Sequence, residues 1–137
     1  ALMALVPGLP KVDGQVICPS YTFFATGGAI SRVGLTPVYC DIDPATYNMC
    51  PKHAAELAEQ CDNLVAIMPV HLYGQAADMD AFLELGERHG VPIIENRPLA
   101  RTIWTKVKVG RPIPSHLFQS VAEILAKVYR IRKRQAS

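Results

Sequence analysis

Side chains that could take part in chemistry follow four short apolar runs of the chain. They are Phe23, Asp41, Asp43, His71, Tyr73 and Asn96. Histidine and carboxylates exchange protons, phenols and amides form hydrogen bonds, and an aromatic ring can stack on a flat ligand. Together these residue types indicate a site for an organic ligand at the ends of the four runs.

Four of these residues also have a structural interpretation. His71 is a lone histidine, and its position is equally consistent with a structural role and a ligand-facing one. The helical spacing around Phe23 favours a position in the core. Asp41 and Asp43 stand in the string D-I-D-P, which favours turn and cap carboxylates over catalytic ones. On the residues alone, both interpretations of the site stay open.

Metal binding and the common nucleotide motifs are not indicated, so we expect no metal site. His53, His89 and His116 show no ligand spacing with one another or with the cysteines. The cysteines form no C-x-x-C pair, which favours buried free thiols over a disulfide or metal role; they are Cys18, Cys40, Cys50 and Cys61. No G-x-G-x-x-G, Walker or G-x-S-x-G motif is present.

The apolar runs predict the elements that position these side chains. Strands are expected at 15–19, 37–42, 64–68 and 93–94, and helices at 22–33, 51–60 and 79–89. In the third helix, capped by Asp78 and closed by Gly90, the expected inward positions are Met79, Phe82, Leu83 and Gly86. Strands that alternate with crossover helices predict a parallel α/β sheet, in which ligands bind at the carboxyl ends of the strands.

Charge divides the chain into two parts. Residues 1–96 hold 4 Lys and Arg against 11 Asp and Glu, whereas residues 97–137 hold 10 against 1. We therefore predict a domain over 1–96 and a basic tail over 97–137, irregular to residue 114 and helical over 116–133. A solvated helix end is favoured over nucleic-acid binding because no aromatic residues interleave the basic cluster.

The start of the chain and its apolar stretches bear on where the protein resides. Residues 1–6 resemble the last turns of a helix, without the basic leader of a signal peptide. No stretch is long enough to span a membrane. A cytoplasmic protein is expected, and the missing initiator methionine is consistent with a fragment or a processed product.

Several strings, taken in order, resemble one protein family. They are V-I-C-P-S-Y-T-F-F-A-T over 16–26, G-L-T-P-V with D-I-D over 34–43, P-V-H-L-Y-G-Q over 69–75 and I-I-E over 93–95. This combination is similar to the DegT/DnrJ/EryC1/StrS family of pyridoxal-phosphate-dependent sugar aminotransferases, which have fold type I. The resemblance runs from about residue 1 to 95 and covers roughly a quarter of a full-length member's sequence.

The resemblance implies a function and assigns residues to it. The fold would be a partial fold type I large domain, a mainly parallel sheet flanked by helices, followed by an unrelated basic tail. The family function is transfer of an amino group, usually from glutamate, to a keto-sugar nucleotide in polysaccharide biosynthesis, by members that pair as homodimers. Pyridoxal phosphate would serve as the electron sink. Phe23 matches the aromatic residue that stacks on its ring, and Ala1-Leu2 matches the end of its phosphate cup.

The sequence departs from the family pattern after the fourth apolar run. Where the family reads E-D-x-x-Q, this chain reads Glu95-Asn96-Arg97-Pro98-Leu99. Asn96 replaces the acid that pairs with the ring nitrogen, and a neutral amide lacks the charge that keeps that nitrogen protonated. Lys127 lies at about the spacing of the Schiff-base lysine, but its surroundings do not match. We therefore expect an inactive fragment with no identifiable catalytic lysine.

Two alternatives follow from this departure. The tail is either out-of-frame translation beginning near Asn96, which we favour, or part of a rearranged gene product. A different class of function is a non-catalytic α/β binding or interaction module that uses the strand-end loops or the basic tail. The resemblance places Phe23 at the cofactor and His71 and Tyr73 in the substrate or site loop. In the module, the strand-end loops or the tail would instead contact a partner, and not a cofactor or a nucleotide-sugar substrate.

Overall fold

The computed structural model describes residues 14–94, 96–107 and 113–135. The chain divides into two compact units, Ala1–Val91 and Pro92–Ser137. The helix end and phosphate cup predicted at the start of the chain lie outside the described residues. The domain boundary predicted between residues 96 and 97 stays a prediction.

The first unit is built on a three-stranded parallel sheet in the order β2-β1-β3. β1 is Gln15–Pro19, β2 is Thr36–Cys40 and β3 is Leu64–Ile67. β1 pairs along its whole length with β2, from Gln15 opposite Thr36 to Pro19 opposite Cys40. These bounds lie within two residues of the predicted ones, because β-branched runs between prolines and polar turns mark strands well. The predicted α/β class is confirmed.

Helices cover both faces of this sheet. α1 is Ala25–Arg32, α2 is Pro51–Gln60 and α3 is Met79–Arg88. Ile17 points into a cluster with side chains of α2 and α3, whereas its neighbours Val16 and Cys18 pack with Ile30 of α1. This alternation follows from the two-residue period of a strand. Every second residue of β1 therefore supports one layer of helices.

Proline, aspartate and glycine residues explain where the helices begin and end. α2 begins at Pro51, whose fixed φ suits a first helical position. Asp78 accepts a hydrogen bond from the Ala81 N–H and caps α3, as predicted. Gly34 and Gly90 follow α1 and α3 with φ of 80° and 65°, which glycine adopts without a Cβ penalty.

Two predictions for residues 15–94 are wrong in detail. Leu83 was placed on the inward side of α3 but is exposed, and Leu85 is buried in its place. Residues 93–94 were predicted as a fourth strand, yet they lie outside any strand. Pro92 has no N–H to donate to a ladder, and Ile93 is 40 % exposed, so little burial stabilises a strand there.

Over residues 96–107 and 113–135, the described part of the second unit, the structure has two α-helices, α4 at Arg97–Lys106 and α5 at Phe118–Gln135. The absence of regular structure predicted for 97–114 is wrong over α4, because Asn96 caps that helix and Pro98 suits its first turn. α5 lies where the sequence predicts a tail helix over 116–133, and it follows a 3-10 turn at Ser115–Leu117. In the part of the chain that the structure describes, no helix is long and apolar enough to cross a membrane.

Candidate ligand site at the carboxyl ends of the strands

The segments that follow the three strands lie at one edge of the sheet, because the strands are parallel. The Ser20 N–H donates to the Cys40 carbonyl, and the Met68 N–H donates to the Ile17 carbonyl. These bonds hold the start of each segment against the neighbouring strand. The loops that follow these three strands, all in the first unit, are thus brought together. Residues 93–94 lie outside any strand, so the fourth predicted strand-end loop has no strand before it.

Three tyrosines, one from each of these segments, form a tyrosine cluster: Tyr21, Tyr47 and Tyr73. The rings of Tyr21 and Tyr47 have centroids 6.1 Å apart at 45°. The hydroxyls of Tyr21 and Tyr73 are 3.2 Å apart and share a hydrogen bond. That bond raises the pKa of Tyr21 above its ordinary value. The cluster presents aromatic faces and phenol hydroxyls to solvent.

Phe23 lies at an open cavity of about 460 Å³. Its lining residues are Ser20, Thr22, Phe23, Phe24, Gly27 and Tyr39. Phe23 is 79 % exposed, so the core position favoured by its spacing is wrong. α1 begins beside the cavity and has no side-chain cap at its N-terminus. A Cβ on Gly27 would clash with the Tyr39 hydroxyl, so the close contact between α1 and Tyr39 in this wall requires glycine.

The acidic residues after β2 serve a turn, as predicted. Asp43 Oδ1 accepts hydrogen bonds from the N–H groups of Ala45 and Thr46. Asp41 Oδ1 accepts from the Ile42 N–H, while the Asp41 N–H donates to His53 Nδ1. These hydrogen bonds explain why carboxylates stand at both positions, and no catalytic role is needed.

His71 and Tyr73 lie in the loop that follows β3. His71 is exposed, and its Nδ1 accepts a hydrogen bond from the Ala77 N–H at 3.0 Å. Nδ1 therefore has a structural role. Nε2 is the ring nitrogen through which His71 could contact a ligand. Tyr73 is 82 % exposed with a φ of 53°, a left-handed conformation that is unfavourable for a residue with a Cβ.

Asn48 is a residue of this edge that the sequence pattern did not single out. It is buried at 4 % exposure beside Tyr47, and its carboxamide bonds to the backbone of the loop that contains His71 and Tyr73. No spacing in the sequence distinguishes it, because its partners are backbone groups more than twenty residues away. The one sequence feature that could have indicated Asn48 is its position as a polar residue between the apolar positions 47 and 49.

Asn96 and Lys127 belong to the second unit. Asn96 Oδ1 accepts a hydrogen bond from the Leu99 N–H at 3.0 Å and so caps α4. Lys127 is exposed on α5.

The four cysteines are free thiols. Cys18 and Cys40 are buried, while Cys50 and Cys61 are partly exposed. Burial raises the pKa of Cys40 to about 12, with a further contribution from Cys50, and burial also raises the pKa of Cys18. Among residues 14–94, 96–107 and 113–135, no group of three or more metal-ligating side chains is found.

The described residues fit pyridoxal phosphate in one respect. The exposed ring of Phe23 beside an open cavity suits the stacking of a pyridine ring. Asn96 does not suit the place of an acid at the ring nitrogen, because it is neutral and its Oδ1 already accepts the Leu99 N–H. Within the first unit, the exposed ring of Phe23 is therefore the described feature that suits the cofactor ring.

Comparison with known proteins identifies related sequences. The profile of the DegT/DnrJ/EryC1/StrS aminotransferase family matches residues 1–108. The pleiotropic regulatory protein of Geobacillus stearothermophilus is 48 % identical over 82 residues, which are 60 % of this chain and 22 % of that protein. The UDP-2-acetamido-2-deoxy-3-oxo-D-glucuronate aminotransferase of Pseudomonas aeruginosa is 43 % identical over the same shares. The chain thus spans about a fifth of the length of these relatives.

Solved structures give the same result. DesV of S. venezuelae, in complex with a ketimine intermediate, matches with a TM-score of 0.56 and 35 % identity over 66 % of this chain and 25 % of that one. The Bacillus subtilis NtdA structure with bound cofactor PMP has a TM-score of 0.58 and 36 % identity over 69 % and 20 %. The three-stranded sheet and its helices therefore correspond to part of a fold type I aminotransferase.

Proposed function

The chain belongs to the DegT/DnrJ/EryC1/StrS aminotransferase family, and we propose that it forms the part of the large domain that binds the ring of pyridoxal phosphate. The proposed family reaction transfers an amino group from glutamate to a keto-sugar nucleotide, and the proposed active oligomeric state is a homodimer. The aminotransferase name of the Pseudomonas aeruginosa relative supports the sugar-nucleotide substrate.

The exposed ring of Phe23 is the observation that supports this proposal most. An aromatic side chain that is 79 % exposed contributes little to folding, yet this ring forms one wall of an open cavity at the ligand edge of the sheet. A flat ligand stacked on the ring of Phe23 would remove that ring from water. His71 and Tyr73 lie on the neighbouring loop and are proposed to face the substrate.

Asn96 limits the chemistry that we propose. A charged acid at the ring nitrogen keeps the cofactor protonated and able to accept electrons, whereas an amide adds no charge. Asn96 also contributes its Oδ1 to the N-terminus of α4. We therefore propose that the chain binds the cofactor ring without supporting amino transfer.

Phe23→Leu tests this proposal, because leucine keeps an apolar side chain and removes the π face. Pyridoxamine 5′-phosphate is the probe, since it has the same ring and no aldehyde to react with lysines. Stacking of aromatic rings contributes about 0.5–1.5 kcal/mol, so we expect the Kd to rise by roughly twofold to twelvefold. Ligand-observed NMR on the 137-residue chain measures the change.

Phe118→Leu is the matched control, because Phe118 is an exposed phenylalanine at the start of α5. Its Kd should equal that of the unaltered chain. Equal loss in both variants, or no saturable binding by the unaltered chain, would refute the proposed ring site.

A second candidate function uses the basic tail. α5 is a continuous helix on which Lys127 and Arg130 are exposed, while Leu117, just before it, is buried. A non-catalytic module that binds a polyanion through this surface would lose affinity steeply with salt. Heparin binding that weakens with salt and is abolished by Lys127→Glu with Arg130→Glu would support this function over cofactor binding.

A further inference from the structure

The buried side chain of Asn48 connects two of the strand-end segments. Its Oδ1 accepts the Leu72 N–H at 3.1 Å, and its Nδ2 donates to the Ala76 carbonyl at 3.1 Å and the Gln75 carbonyl at 3.4 Å. The amide fits in one orientation, because its oxygen meets a donor and its nitrogen meets acceptors. One side chain therefore satisfies three backbone groups of the loop after β3.

The backbone of Asn48 is fixed just as closely. Its carbonyl accepts the Asp43 N–H at 2.9 Å, and this bond remains in place when the longer bond from its N–H to Thr46 Oγ1, at 3.3 Å, is removed. The turn organised by Asp43 therefore holds the backbone from which the carboxamide reaches the loop. Asn48 and its turn therefore connect the loop to the segment that follows β2.

Two residues in this region have strained backbones. In the parts of the chain that the structure describes, Tyr47 and Tyr73 are the non-glycine residues with positive φ, at 59° and 53°. Such conformations cost free energy and persist where surrounding contacts enforce them. Asn48 directly follows Tyr47, and its hydrogen-bond partners lie on both sides of Tyr73. Both strained residues belong to the tyrosine cluster.

We infer that Asn48 is a positioning residue that fixes the tyrosine cluster as one preformed face of the site. By holding the backbone around Tyr73, its carboxamide places the Tyr73 hydroxyl against Tyr21. That this face serves ligand binding rests on the proposed function. A preformed face spares the ligand the cost of ordering the loop.

Asn48→Ala removes the three bonds to the loop and is compared with Thr46→Val, which removes a bond of the same turn and leaves the loop bonds in place. We expect the Leu72 amide of Asn48→Ala to exchange with solvent at least about tenfold faster, because it loses its acceptor. The amides of Val16 and Ile17 in β1 should be unaffected in both variants. NMR of the 137-residue chain measures each rate.

The titration of Tyr21 separates positioning from a merely structural role. In Tyr73→Phe the partner hydroxyl is lost, so the pKa of Tyr21 should fall toward its ordinary value. Asn48→Ala should lower it in the same direction, and Thr46→Val should leave it unchanged. Carbon-13 labelling of the tyrosine Cζ atoms resolves Tyr21.

Unchanged Leu72 exchange or an unchanged Tyr21 pKa in Asn48→Ala overturns the inference, as does a Tyr21 pKa that is insensitive to Tyr73→Phe. If Asn48→Ala does not fold, the side-chain amide protons of Asn48 in the unaltered chain decide the matter. Slow exchange supports the inference, and exchange at the rate of an exposed amide contradicts it. None of these measurements needs a ligand, so failure of the proposed function is detected separately.

Discussion

Phe23 and the tyrosine cluster place aromatic side chains in solvent at one edge of the sheet. Single exposed apolar residues are common and need no explanation, but several at the carboxyl ends of parallel strands lie where ligands bind. The segments that form this edge could be predicted from the apolar runs. Periodicity misplaced Phe23 because it predicts a helix from residue 22, whereas α1 begins at Ala25, after Phe23. It could not reveal Asn48, whose partners are distant backbone groups.

Cys40 provides a residue-scale prediction about pH. Because burial raises its pKa from 9.0 to about 12, the folded chain keeps the thiol proton that the unfolded chain releases above pH 9. This contribution to stability is fully present below pH 9 and is lost as the pH rises toward 12. One such thiol lowers the free energy of unfolding by at most about 1.4 kcal/mol per pH unit.

Urea unfolding between pH 7 and pH 11 measures this effect. Cys40→Ala should show a shallower loss of stability with rising pH, whatever its stability at pH 7. Parallel curves for the two proteins would contradict the assignment of the slope to Cys40. Lysines and tyrosines titrate in the same range, so the difference between the two curves is the quantity to compare.

At the scale of elements, local signals predicted the first unit well. Pro51 and Asp78 mark helix starts, Gly34 and Gly90 follow helix ends, and β-branched runs mark the three strands. The failures came where tertiary burial decides. The run at 93–94 has strand composition but no strand pairing, and α4 was missed because its polar surface hid the helical period.

The cap of α4 gives an element-scale prediction. Asn96→Ala should destabilise the helix by about 1 kcal/mol, because the Leu99 N–H loses its acceptor. Asn96→Asp should keep the cap and add a favourable charge at the helix N-terminus. It also introduces the acid that the family resemblance expects at this position. Thr102→Val, which removes a bond to the Pro98 carbonyl within the same helix, is the control.

Exchange of the Leu99 amide with solvent measures the cap. It should accelerate in Asn96→Ala and stay slow in Asn96→Asp and Thr102→Val. A Leu99 rate that is the same in all three variants would show that Asn96 does not cap α4.

At the scale of the whole molecule, the chain has an acidic part and a basic part. The acidic part is proposed to bind the cofactor ring, and the basic part is the candidate for polyanion binding. The acidic part holds the sheet and the candidate site, and residues 97–137 carry a net charge of +9. The family profile extends to residue 108, past the change in charge near residue 96, and the chain spans about a fifth of its relatives. Composition predicted the division, but it could not say which part binds a ligand.

The central claim is that the cofactor ring binds at Phe23 and not through its phosphate on the basic tail. A residue-by-residue NMR map of the 137-residue chain with pyridoxamine 5′-phosphate tests this directly, with inorganic phosphate as the control. We predict shifts at the cavity residues around Phe23, such as Ser20, Gly27 and Tyr39, which inorganic phosphate does not reproduce. Shifts confined to Lys127, Arg130 and their neighbours, and reproduced by phosphate, would contradict the claim.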